Sequence, residues 1–138
     1  MDIGLSGQGE GPKIRLLIVE DDISLRDQLE EGLHYCGFDT MTASDGFAAR
    51  AITGNHPDLS LILTDMDMPG MTGLELARHV LADRRAAVVI LTGKGLPRLE
   101  QEAEDAGVFA VLRKPIRLPA LAETLRQALA SLREAGVR

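Results

Sequence analysis

A few polar residues in this chain stand where chemistry could be done. Glu20, Asp21 and Asp22 directly follow an apolar run in "LLIVEDD". Asp65 and Asp67 stand one residue apart in "LILTDMDMPG", where Leu61 to Leu63 lead into acid and Met68-Pro69-Gly70 then breaks the chain. Thr92-Gly93 and Lys114-Pro115 close two further runs. Carboxylates brought within a few Å of one another repel, and each raises its neighbours' pKa. A hard divalent cation relieves that repulsion. Mg²⁺ takes one or two carboxylates plus waters, and often phosphate oxygens. Lys114 would add a compact ammonium suited to an anionic oxygen, and Thr92 a hydroxyl donor. Acids, a cation, an ammonium and a hydroxyl around one carboxylate suit phosphoryl transfer, which depends mostly on positioning and charge stabilisation. A carboxylate can itself be the covalent acceptor.

These residues must be positioned by the elements that precede them. "KIRLLIVE" (13–20), "FDTMTAS" (38–44), "LSLILTD" (59–65), "AAVVILT" (86–92) and "VFAVLR" (108–113) read as strands. The near-continuous apolar runs suit strands buried on both faces. Helical patterns alternate with them. Asp22 caps a helix with Leu25, Leu29 and Leu33 on one stripe and Gly37 past its end. Asp45-Gly46 opens a second, with Ala48, Ala51 and Ile52 facing inward. Thr72 and Glu75 form a capping-box pattern ahead of Leu74, Ala77 and Leu81. An acidic helix over 97–106 ends at Gly107. A last helix starts near Leu118-Pro119, with Leu121, Leu125, Leu129 and Leu132 inward. Five strands alternating with five helices imply βαβ units and a parallel sheet covered on both faces. Ligands of such sheets bind beyond the carboxyl ends of the strands, where the strand order reverses. The polar residues named above all stand at strand ends.

Length and composition narrow the function classes. The 138 residues suit one compact domain (13–138), preceded by a flexible leader (1–12) with four glycines and a proline. A net charge of -6 disfavours a nucleic-acid-binding surface. No apolar run is long enough to span a bilayer, and no secretory signal opens the chain, so a cytoplasmic protein is expected. Cys36 cannot form an internal disulfide and reads as a small core residue.

The four strand-end motifs, "LLIVEDD", "LILTDMDMPGMTGLEL", "VVILTG" and "RKP", stand in the order and spacing of the receiver domain of bacterial response regulators. The chain resembles that family over about residues 14–133. The resemblance implies a doubly wound, flavodoxin-like α/β fold, (βα)5, with strand order 2-1-3-4-5. It implies that Asp65 accepts a phosphoryl group from a histidine kinase or histidine phosphotransfer protein. It implies that Mg²⁺, or Mn²⁺ in its place, is held by Asp21, by Glu20 partly through water, by Asp65, and by the backbone carbonyl of Asp67. Thr92 would bond the phosphoryl group and shift as it arrives, and Lys114 would pair with one of its oxygens. The Lys114–Pro115 bond is often cis in the family. Val111 departs from the pattern, for the family often carries an aromatic switch residue there. Phe109 shares its strand face but is not the matching position. Asp67 occupies a position that influences the lifetime of the phosphoryl state.

The resemblance further implies a regulatory domain with slow self-hydrolysis, not a turnover enzyme. It implies a downstream protein target, and a monomer or a phosphorylation-linked homodimer. Two rivals remain. A Mg²⁺-dependent phosphohydrolase with an aspartyl-phosphate intermediate would use Asp67 as its second acid, but needs a substrate-covering cap. A receiver-like interaction module would need none of these groups. His34, His56 and His79 lack metal-ligand spacing. Met66, Met68 and Met71 read as loop packing, and Gly93-Lys94-Gly95 as a flexible loop.

Overall fold

Alternation of apolar side chains along buried strands builds two cores back to back. The computed structural model describes residues 14–95 and 97–137. Its strands are β1 (Ile14–Val19), β2 (Phe38–Ala43), β3 (Leu61–Asp65), β4 (Ala87–Thr92) and β5 (Ala110–Arg113). Its helices are α1 (Ile23–Tyr35), α2 (Gly46–Asn55), α3 (Gly73–Asp83), α4 (Pro97–Ala106) and α5 (Leu118–Val137). All strand pairs are parallel, in the order β2-β1-β3-β4-β5. The doubly wound α/β expectation holds. The leader over 1–12 and the first expected strand residue, Lys13, lie outside the described residues.

Neighbouring strand residues point to opposite faces. Leu17, Val19, Ile62, Val88 and Ile90 pack with Leu74, Leu76 and Val80 of α3 and Leu99 of α4. Leu16, Ile18, Leu61, Leu63, Val89 and Leu91 pack with Leu29 and Leu33 of α1 and Leu121 and Leu125 of α5. The chain steps from β1 outward to β2, then crosses back to β3. The strand order therefore reverses between β1 and β3, whose carboxyl ends carry Glu20 and Asp65.

The helix starts follow their capping residues. The Asp22 carboxylate accepts from Leu25 N at 2.9 Å and that of Asp45 from Ala48 N at 2.7 Å. Thr72 and Glu75 complete the capping box, at 3.1 and 2.8 Å. Three expectations shift. Strand β3 starts at Leu61 rather than Leu59. Val108 closes α4 instead of opening β5: Gly107 has φ 92°, its N–H donates to Glu104 O, and Val108 N donates to Ala103 O at 2.9 Å. This is the left-handed helix ending that glycine favours. Phe109 N already donates to Val88 O of β4 at 2.8 Å, one residue ahead of the strand proper. On α2, Ala48 and Ile52 pack against the core as expected, but Ala49 and Thr53 are the buried residues beside them and Ala51 is exposed. The expected loop methionines join the core, where Met68 and Met71 are buried and Met66 packs against them. Cys36 is half-buried at the edge of the other core.

Opposite the site, Arg84 ties α3 to the α2–β3 connection. Its guanidinium donates to the carbonyls of His56 at 3.1 Å and Leu59 at 2.8 Å, and also to that of Thr53. These add side-chain donors to carbonyls at a helix end and a turn, where Thr53 O also accepts from His56 N at 3.3 Å and His56 O from Leu59 N at 3.0 Å. Arg84→Ala is expected to destabilise the fold by about 2–3 kcal/mol in urea unfolding, while Arg50→Ala, at an exposed position of α2, changes it by under about 0.5 kcal/mol. Equal losses would refute the clamp.

Candidate functional site

The β1 and β3 strand ends bring their acids together. Glu20 and Asp65 are buried, 2% and 4% exposed, and Asp21 is exposed beside them. Each of the three offers an oxygen, and the three oxygens lie within 4.8 Å of one another. Strand β5 delivers Lys114 just past its end, where Lys114 N donates to Thr92 O at 2.8 Å. The Lys114 Nζ is 2.5 Å from Asp65 Oδ1 and 3.7 Å from Glu20 Oε1. Yet neither oxygen has an aligned hydrogen-bond donor among the described residues. Lys114 and Asp65 form a close ion pair within hydrogen-bond reach, while Glu20 Oε1 stands further from the ammonium.

Burial raises the pKa of Asp65, against the opposing pull of Lys114, and the charges of Asp67 and Asp21 raise it further. Burial is also the main cause at Glu20, lifting its carboxyl to about 6; the Asp22 N–H bonded to it at 3.1 Å opposes this, and Asp65 adds to it. Burial pulls Lys114 down, but Asp65 and Glu20 together outweigh that and hold its ammonium above the usual range. Three carboxylates, with two buried oxygens lacking aligned donors and no nitrogen or sulfur ligand, fit a hard divalent cation such as Mg²⁺ or Mn²⁺.

The surrounding backbone holds Asp65 in place. The fully buried Thr64 hydroxyl donates to Asp65 O at 2.9 Å, and Gly73 N donates to Met66 O at 2.9 Å. A side chain at Gly73 would lie 2.3 Å from Asp65 O, so α3 can approach the acceptor strand this closely only with glycine there. Thr92 is 3% exposed. Its hydroxyl donates to Lys94 O at 3.0 Å and accepts from Lys94 N at 3.1 Å. Val111 pairs with Ile90 and is half-buried against the core. It lines, with Thr92, Leu99 and Arg113, a recess of about 220 Å³.

The structure thus brings together Glu20, Asp21, Asp65 and Lys114, with Thr92 at the adjacent strand end. The Asp67 side chain is exposed and outside the three-acid group, although its charge reaches Asp65. The Lys114–Pro115 bond is cis. Sequence reading missed Arg26, which donates to Glu20 O at 2.9 Å. It also missed Thr64 and Gly73, whose roles depend on backbone proximity and leave no motif.

Comparison with known proteins places this arrangement. The family model described as "Response regulator receiver domain" matches residues 16–126. Sporulation initiation phosphotransferase F of Bacillus subtilis is 31% identical over 117 residues, covering 83% of this chain and 93% of that protein. The uncharacterized transcriptional regulatory protein YrkP of Bacillus subtilis is 33% identical over 101 residues, covering 73% of this chain; the match spans only 43% of that protein's length. The solved chemotaxis protein CheY4 of Vibrio cholerae superposes with a TM-score of 0.80 at 29% identity, covering 85% of this chain and 99% of that one.

The raised Glu20 pKa has a consequence for stability. The folded chain holds the Glu20 proton more tightly than the unfolded chain does. Stability is therefore lost as pH rises from 4.5 to about 6 and stays lost above that. With divalent cations chelated, Glu20→Gln is expected to melt above wild type at about pH 7.5, by up to ~2 kcal/mol, and to lose that advantage near pH 4.5. A lower melting temperature than wild type at the higher pH would contradict the assigned electrostatics.

Proposed function

This chain belongs to the response regulator receiver domain family, and from that premise we propose that Asp65 is its phospho-acceptor. Receiver domains are regulatory phospho-acceptors of two-component signalling, and this is the function of the chain. The reading of its site rests on one observation: a buried carboxylate at the end of β3, touched by Lys114 and flanked by the carboxylates of Glu20 and Asp21.

An Asp65 oxygen attacks phosphorus in a phosphohistidine donor. The P–N bond breaks, and the imidazole leaves with the bonding pair and takes up a proton. Lys114 then faces a phosphoryl oxygen instead of a bare carboxylate. Asp21, Asp65 and Glu20, with the backbone carbonyl of Asp67, would hold Mg²⁺. The bound cation supplies positive charge that lets an anionic donor approach a cluster of acids. Thr92 gives up its bond to Lys94 O and donates to the phosphoryl group. Because Lys94 opens the connection to α4, that exchange repositions the 93–106 region. It shifts the population of an α4, β5 and α5 surface read by a downstream protein. Val111 takes the place of an aromatic relay, so Thr92 and the connection carry the change.

The donor is a histidine kinase or a histidine phosphotransfer protein, and the site of action is the cytoplasm. No described helix is long and apolar enough to cross a membrane. The domain acts as a monomer or a phosphorylation-linked homodimer. The chain's own hydrolysis of the phosphoryl group is slow, with exposed Asp67 setting its lifetime. The phosphohydrolase reading is less supported: the described elements are the sheet and its two helical layers, which leaves Asp65 uncapped.

Intact mass after incubation with acetyl phosphate and Mg²⁺ tests the assignment. Wild type is expected to gain one phosphoryl group, Asp65→Asn none, and Lys114→Ala far less than wild type. The same gain on Asp65→Asn, or multiple turnovers of a small phosphate ester by wild type, would overturn it.

A further inference from the structure

Arg26 lies one turn into α1, half-buried, at the corner that carries Glu20 and Asp21. A guanidinium so placed would be expected to pair with one of them, yet it forms no ion pair with Glu20, Asp21 or Asp65 among the described contacts. Its Nη1 instead donates to the backbone carbonyl of Glu20 at 2.9 Å. The same short corner is fixed from other sides. Glu20 N donates to Ala43 O at 3.1 Å, and Arg26 N donates to Asp22 O at 2.8 Å. Asp22 N donates to Glu20 Oε2 at 3.1 Å. Arg26 therefore bonds the corner with both its backbone and its side chain. It spans from the helix that follows the acids back to the first of them.

We propose that Arg26 is a positioning residue for the divalent-cation site: its guanidinium holds the Glu20 peptide so that the Glu20 and Asp21 carboxylates converge on Asp65. This rests on the reading of the three acids as a cation site. A group that orients metal ligands without touching the metal typically changes affinity by about tenfold or more.

The two roles a cation can play here have opposite signs. A positive charge near the site repels Mg²⁺, so its removal alone would tighten binding. Loss of the Glu20 clamp would weaken it. Mg²⁺ titration of the full chain by calorimetry, on wild type, Arg26→Gln and Arg26→Lys, separates them. Melting temperatures in chelator show that each variant is folded. Arg26→Gln is expected to bind Mg²⁺ about tenfold more weakly. Arg26→Lys, which keeps the charge and one donor, is expected to recover most of the loss. At saturating Mg²⁺ the rate of phosphorylation by acetyl phosphate is expected to return close to wild type, since the clamp touches no reacting atom. Unchanged or tighter Mg²⁺ binding by folded Arg26→Gln would overturn the inference while leaving the site reading intact. Absence of Mg²⁺ binding by wild type would overturn both.

Discussion

The structure depends on mutual repulsion among Glu20, Asp21 and Asp65, which Lys114 offsets only in part. Two of these acids are buried, and burial raises both pKa values above those of ordinary carboxylates. Like charges a few Å apart, two of them buried, persist only when the surrounding fold over-determines them. Here the fold does so. Asp65 ends β3 and Glu20 directly follows β1, both central strands with neighbours on either side and apolar residues packed on both faces. Added positive charge would relieve that repulsion, and this is the basis for proposing a cation and a phosphoryl group here.

The same rigidity explains how a local chemical event can reach a distant surface. Asp65 is fixed through its carbonyl by Thr64, and the chain after it by the close approach of Gly73. The acceptor itself has little freedom to move. Thr92 is different, because its hydroxyl is satisfied by Lys94, a residue of a connection rather than of the sheet. On the proposed reading, a phosphoryl group on Asp65 would compete with Lys94 for that hydroxyl. That competition would link the strand end to the start of α4 without an aromatic relay. The recess beside Val111 leaves room for that connection to rearrange.

Much of this was legible in the sequence because buried parallel strands write themselves as unbroken apolar runs and their functional residues stand at the ends. Glu20, Asp21, Asp65, Thr92 and Lys114 could each be placed that way, and Asp22, Asp45 and Thr72 announced their helices as caps. The errors have local physical causes. Val108 looked like the start of a strand, but its N–H is taken by Ala103 O in closing α4. Ala51 looked inward-facing, but α2 turns Ala49 and Thr53 to the core beside Ala48 and Ile52, which leaves Ala51 outside that stripe. Arg26, Thr64 and Gly73 were invisible because each acts on a backbone atom, and no spacing rule reports which carbonyl a side chain will meet.

Proton linkage of cation binding tests the central claim most directly. If Glu20 and Asp65 hold protons more tightly than free carboxylates because they are buried together, a cation must displace protons to bind. Calorimetric titration with Mg²⁺ in buffers of different ionisation enthalpy, between about pH 5 and 7, measures this. The account expects net proton release near the Glu20 pKa of about 6 and affinity that falls as the pH is lowered. Binding of unchanged affinity across that range, with no proton release, would contradict it.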